Sequence, residues 1–177
     1  MDQKALKARY ARAMESLYIA CITVSGISLV LITLAIPYGV FMRYVMNSAA
    51  SWPEPFAVLL MVLFSFVGGA AVYRANVHIA VKALLERVPP SVRRVMEWLI
   101  SLCMLGMALY MVVYGIQLVQ VTWHQGLAEF PDFPVGLNYS PIPLSGFLLL
   151  LFIVEKIWVG EPPQSSIMYR DDAEAAE

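Results

Sequence analysis

Ser51, Glu54, Arg74 and His78 bracket one apolar run, SWPEPFAVLLMVLFSFVGGAAVYRANVHIAV, with a hydroxyl and a carboxylate at its entrance and two nitrogen bases at its exit. Groups so placed can cap a helix, hold a partner, or pass protons and ions. Cys21, Cys103 and His124 complete the set whose chemistry could instead be redox or haem ligation. Glu54 stands far from any other acid, the nearest being Glu15 and Glu86. A carboxylate at the centre of a bilayer costs about 2.5–3.5 kcal/mol on insertion scales, so Glu54 is expected at a boundary.

The elements that must position these residues are membrane spans. Sixty per cent of the 177 residues are hydrophobic and 14% are charged, against about 25% charged in an ordinary soluble domain. Asp, Glu, Lys and Arg are absent from Ser16 to Met42, Pro55 to Tyr73, Trp98 to Ala128 and Phe133 to Val154. Each stretch approaches or exceeds the roughly 20 residues that cross a hydrocarbon core. The pattern predicts an all-α integral membrane protein with one four-helix transmembrane domain over residues 1–160. Its spans are expected at about 17–41, 53–74, 94–122 and 140–159, followed by a short acidic, disordered tail over 161–177.

Basic residues set the expected orientation, because Lys and Arg are retained on the cytoplasmic side. Lys4, Lys7, Arg9 and Arg12 precede the first span; Arg74, Lys82, Arg87, Arg93 and Arg94 separate the second from the third; Lys156 and Arg170 follow the fourth. Arg43 alone falls on the other side, so both termini are expected in the cytoplasm. The apolar run after Arg12 is too long for a typical signal-peptide core, which predicts an uncleaved first helix.

Two stretches have amphipathic spacing. Leu6, Tyr10, Ala13, Met14 and Leu17 recur at helical intervals between basic residues, and so do Val77, Val81, Leu84, Leu85 and Val88 before Pro89 and Pro90. Both are expected as in-plane helices on the cytoplasmic headgroups, making phospholipid a partner. Within the spans, Gly68, Gly69, Ala70 and Ala71, one turn after Ser65, offer a small-residue face for a close helix neighbour. Pro37 is expected to bend the first helix, and Ser140-Pro141 reads as an N-cap and first-turn proline for the fourth.

At the entrance of the second span, Ser51 and Glu54 have the spacing of a capping box. Trp52 then anchors at the headgroups, and Pro53 is tolerated in a first turn. The same carboxylate can also reach a partner subunit or Arg43. We expect the cap to be its main role.

Arg43-Tyr44 with Asn47, then Ser51-Trp52-x-Glu54, the Gly-Gly-Ala-Ala helix, Arg74, and the stretch from His78 through Ile79 and Val81 to a leucine pair and a proline resemble the small membrane subunit (DctQ-type) of tripartite ATP-independent periplasmic (TRAP) transporters. The order and spacing carry the resemblance, over roughly Ser16 to Trp158. The chain departs from that pattern at Pro55, where the family often has a second glutamate, and at Lys82, where it often has an aspartate.

The resemblance implies a bacterial inner-membrane subunit with no catalytic role and no cofactor. Its implied partners are a large polytopic membrane subunit, which moves an organic acid inward with sodium ions, and a periplasmic binding protein that delivers the acid. The small subunit is implied to be a scaffold. Arg43, Ser51, Trp52, Glu54, Gly68, Gly69, Arg74 and His78 are then the candidate interface or helix-boundary residues. The outer loop from Trp123 to Pro143 is a further place where the binding protein could touch.

Other classes leave their own marks. A disulfide-generating enzyme needs paired cysteines, whereas Cys21 and Cys103 sit alone in separate spans. A haem anchor needs histidines facing each other within the membrane, whereas His78 and His124 fall near opposite surfaces. A small stand-alone proton-coupled exporter remains the alternative, with a membrane redox or haem anchor subunit behind it. The spans show no mid-membrane acid of the kind an ion site uses. Metal-ligand spacing, a phosphate-cradling loop and a nucleic-acid surface are likewise not expected.

Overall fold

The computed structural model describes residues 3–48, 50–75, 89–126 and 134–160, and over these the chain is helical apart from short turns. Helix α1 covers Gln3–Tyr44, α2 Pro53–Arg74, α3 Pro90–Thr122, α4 Val135–Tyr139 and α5 Pro141–Trp158. Four segments are long and apolar enough to cross a membrane: Leu6–Tyr44, Pro53–Arg74, Trp98–Thr122 and Val135–Trp158. These match the number of spans expected from the charge-free stretches.

The first helix differs from expectation. Its 42 residues run without interruption, about 63 Å at 1.5 Å per residue, so Lys4–Leu17 is not a separate in-plane element. Tyr10, Met14 and Leu17 pack on the main core, which fixes the start of the helix to the helices beside it. Pro37 lies inside α1, and the helix continues through it. Thr23, Ser28 and Thr33 donate their hydroxyls to the carbonyls of Ile19, Val24 and Leu29, so these polar groups are satisfied within the span. The second expected in-plane helix, with His78, and the acidic tail lie outside the described residues.

Helix termini explain part of the sequence pattern. Asn47 has φ +48°, and the amides of Val45 and Met46 both donate to the Phe41 carbonyl at 2.9 and 3.3 Å. Asparagine tolerates the left-handed conformation that often ends a helix, which gives this position in the motif a physical reason. Pro141 opens α5, as the sequence suggested. The Ser140 hydroxyl, however, donates backward to the Leu137 carbonyl at 2.7 Å and makes no side-chain cap. The short helix α4, just ahead of it, was not anticipated.

The helices adjoin in the order α1, α2, α5, α3, a row in which α1 also touches α5 directly. Helix α2 packs on α1 and on α5, while α3 packs on α5 and α4; α1 and α3 share no packed seam. Alanine and glycine make the seams close. A Cβ on Gly146 would come within 2.9 Å of Met111 Cβ and 3.1 Å of the Ala108 carbonyl, so α5 rests almost on the backbone of α3. Phe152 and Ile153 are each 1% exposed where α5 meets its neighbours. The core is therefore a strip along the middle of the row, and the outward faces of α1 and α3 remain uncovered.

Candidate functional site

The side chains singled out in the sequence separate into two groups at opposite ends of α2. At its last residue, Arg74 turns inward and is the hub of an ionic cluster. Its Nε donates to Glu155 Oε2 at 2.7 Å and its Nη2 to Glu155 Oε1 at 2.9 Å, a bidentate pair with α5. Its Nη1 donates to Glu15 Oε2 of α1 at 2.8 Å. One guanidinium thus joins three helices.

The cluster is shielded from solvent. The side chains of Arg74 and Glu155 are 2% and 4% exposed and that of Glu15 is 24% exposed. The guanidinium carbon also lies 5.1 Å from the Tyr18 ring centroid and 5.8 Å from that of Phe152, within cation–π range. Helix geometry explains why Arg74 suits this place. A cation at the C-terminus of α2 complements the helix dipole. Glu155 stands near the C-terminus of α5, where a carboxylate is unfavourable, and Arg74 offsets that charge. Around the cluster, Tyr10 meets Trp158 edge-on at 5.8 Å and donates its hydroxyl to the Leu151 carbonyl at 3.1 Å.

Arg74 ends the second span with its charge enclosed between helices. Glu155, three residues before the end of α5, is a buried acid near a span end and is already paired. Neither Glu15 nor Glu155 was singled out in the sequence. A signal was there, since an acid next to a long apolar run calls for a cation at the same membrane depth and Arg74 ends a neighbouring span on the same side. The adjoining Lys156 made Glu155 read as an ordinary charged flank.

At the other end of α2, the capping box does not form. The helix begins at Pro53, Trp52 occupies the cap position, and no side chain caps it. Glu54 instead accepts from Arg43 Nη2 at 3.0 Å, with the two side chains 75% and 51% exposed. Ser51 is exposed beside them. Trp52 lies between Tyr38, at 5.5 Å, and Phe56, at 6.1 Å between ring centroids. Close packing reinforces the contact: a Cβ on Gly39 would lie 3.1 Å from Pro53 Cβ.

The glycine pair divides between two environments. Gly68 faces α1, where an added Cβ would meet Ser25 Oγ at 3.3 Å, and Ala70 and Ala71 are buried in the core. Gly69 points outward with nothing within 4 Å. Three of the four small residues are therefore used in packing within this chain. Cys21 is buried and Cys103 exposed, both as free thiols. His124 is exposed just beyond α3, and His78 lies outside the described residues. Among the described residues no group of His, Cys, Asp and Glu is arranged to hold a metal ion.

Comparison with known proteins decides the family. The sequence matches the family described as "Tripartite ATP-independent periplasmic transporters, DctQ component" over residues 29–161. The chain belongs to the DctQ family. A protein of Haemophilus influenzae, named "Putative TRAP transporter small permease protein", is 23% identical over 143 residues, covering 81% of this chain and 86% of its own. The DctQ match takes in α2, α3, α4, α5 and residues 29–44 of α1, and so includes both ends of α2. Membership gives the chain a transport role and makes it a multi-pass inner-membrane protein. Glu15 lies ahead of the matched segment, whereas Arg74 and Glu155 lie within it.

Proposed function

We propose that this DctQ protein is the scaffold subunit of a sodium-coupled uptake system. In this reading a periplasmic binding protein delivers an organic acid, such as a dicarboxylate or sialic acid, and a large membrane subunit carries it inward. The family description names one component of a three-part transporter, and such small permeases work in general with a large membrane subunit and a binding protein.

The observation that carries the proposal is the Arg74 cluster. Its guanidinium is committed to Glu155 and Glu15 of this same chain, and that use favours a fixed frame over a moving ion or substrate site. Charged residues of a transport pathway face a water-filled cavity or pair across discontinuous helices. Here the paired groups pin three continuous helices together. A frame of that kind suits a static neighbour of a moving subunit.

Orientation belongs to the same proposal. Glu15 near the start of α1, Arg74 at the end of α2 and Glu155 near the end of α5 meet at one end of the row. The basic residues cluster at that end in sequence, so it is assigned to the cytoplasm. Lys7, Arg9 and Arg12 then lie near anionic phospholipid headgroups.

Purification of the tagged chain from its native host in mild detergent tests the proposal. Co-elution of a large polytopic protein, with sodium-dependent uptake after reconstitution of the complex and its binding protein, is expected. A chain that purifies alone and catalyses proton-coupled exchange in liposomes would be an exporter, and bound haem or quinone would make it a redox anchor.

A further inference from the structure

One face of α3 carries groups that lipid cannot satisfy. Tyr110 and Tyr114 are 62% and 55% exposed, and their rings lie 4.5 Å apart on the outside of the helix. The opposite face, with Ala108 fully buried, packs on α5. Tyr110 stands midway in the span, twelve residues from Trp98 and twelve from Thr122, about 18 Å of helix from either end. A helical side chain leans toward the N-terminal end of its helix, so Tyr114 leans back toward Tyr110 and away from the nearer boundary. On those bounds both phenols fall in the inner half of the apolar span.

Tyrosine is ordinarily found at the membrane surface, where its ring is greasy and its hydroxyl wet. At mid-depth a hydroxyl with no acceptor is costly. Neither phenol has a hydrogen-bond partner among the described residues, although other exposed hydroxyls of the spans, on Thr23 and Thr33, are satisfied by their own helix. The face continues in the same character. Cys103 and Gly106 precede the tyrosines and Gln117 follows, at intervals of three, four, four and three residues, all exposed. Small residues that admit a close backbone, followed by hydrogen-bonding side chains, make up a helix–helix contact in a membrane. A lipid-facing stripe needs neither.

We infer that the Tyr110–Tyr114 face of α3 is the seat of the large membrane subunit, which presents hydrogen-bond acceptors, backbone carbonyls or polar side chains, at the middle of the bilayer. This rests on the scaffold reading above. A soluble binding protein cannot reach that depth, and acyl chains offer no acceptor. A second copy of this chain could reach it too, since a phenol both donates and accepts, but the family description, which names one component of a three-part transporter, favours the large subunit, and the test separates the two.

The test places p-benzoylphenylalanine at position 110 or 114 of the full chain, co-expressed with the large subunit, and irradiates native membranes. A cross-linked product with the mass of both subunits is expected from each position. Products with lipid alone, or with a second copy of this chain, would overturn the inference. A second arm measures how much large subunit the tagged double variant Tyr110→Phe with Tyr114→Phe retains in detergent. Both substitutions leave every internal contact in place, and a drop of at least about threefold is expected from the loss of two bilayer hydrogen bonds. Unchanged retention would overturn the hydrogen-bonding role. Failure of the unaltered chain to retain any large subunit would instead defeat the scaffold reading, and this inference with it.

Discussion

Helix α2 is held at both ends by an arginine–glutamate pair, and the two pairs differ in almost everything except their chemistry. Arg74 and Glu155 are bidentate, enclosed and flanked by aromatic rings. Arg43 and Glu54 meet through one hydrogen bond in an exposed position. The first pair joins α2 to α5 and, through Glu15, to α1; the second spans only the turn between α1 and α2. Burial strengthens the electrostatic attraction and makes loss of a partner costly, whereas exposure leaves both charges screened and hydrated. Identical residue types thus do different work: one pair fixes how three helices meet, and the other decorates a contact already made by apolar packing.

The largest expected effect comes from removing the hub of the buried cluster. Arg74→Met leaves the Glu155 carboxylate enclosed without its bidentate cation, at a cost of about 3–5 kcal/mol. Thermal unfolding of the purified chain in detergent should show a large fall in midpoint, or the variant should fail to accumulate in the membrane. The triple variant Arg74→Met, Glu155→Leu, Glu15→Gln removes the whole ionic cluster and should recover much of that loss, since apolar replacement of a buried ionic group is often neutral. If Arg74→Met alone proves nearly neutral, the contrast between the two ends disappears.

How much of this was legible in the sequence follows the same division. Long charge-free stretches make spans plain, because every backbone group in hydrocarbon must be paired within its helix. The number of crossing segments could therefore be read directly. Arg74, Glu54 and Trp52 were visible as charges and an aromatic near span ends. Their partners were not, because pairing between helices depends on which spans adjoin and at what rotation. Glu15 and Glu155 lie 59 and 81 residues from Arg74, and nothing local marks them. The capping box misled because its residue spacing is a local rule, and the Arg43 contact that displaced it comes from the preceding helix. Lys4–Leu17 misled for a related reason. Its apolar stripe could serve headgroups or a helical neighbour, and only the position of α5, with Leu151 and Trp158, selects the neighbour.

The contrast sharpens if the exposed end is tested through its packing and not its charge. Gly39 approaches Pro53 so closely that an added Cβ would sit 3.1 Å from the proline ring, and Pro53 is among the most completely buried side chains of the molecule. Gly39→Val forces α1 and α2 apart there, at an expected cost of about 1–3 kcal/mol. The fall in unfolding midpoint should be clear, yet smaller than that of Arg74→Met. A result at or below that of Glu54→Gln would mean that this end is not held by shape.

The smallest effect is expected from the exposed pair itself. Glu54→Gln keeps the shape and loses the charge, which for an exposed pair costs about 0.2–1 kcal/mol at low ionic strength. Raising the salt should erase the difference, because the Debye length shrinks to about 3 Å at 1 M, comparable to the separation of the two groups. The same salt should leave the Arg74→Met deficit largely unchanged, since its charges lie out of reach of mobile ions. Unfolding midpoints of the two variants and the unaltered chain, at low and high salt, therefore separate the ends by mechanism as well as by size. A salt-resistant loss in Glu54→Gln that is seen in the co-purified complex and absent from the chain alone would show that Glu54 is enclosed in the working complex. That outcome would move the site of partner contact to the Trp52 end, where Tyr38, Trp52 and Phe56 already present a ring-lined surface.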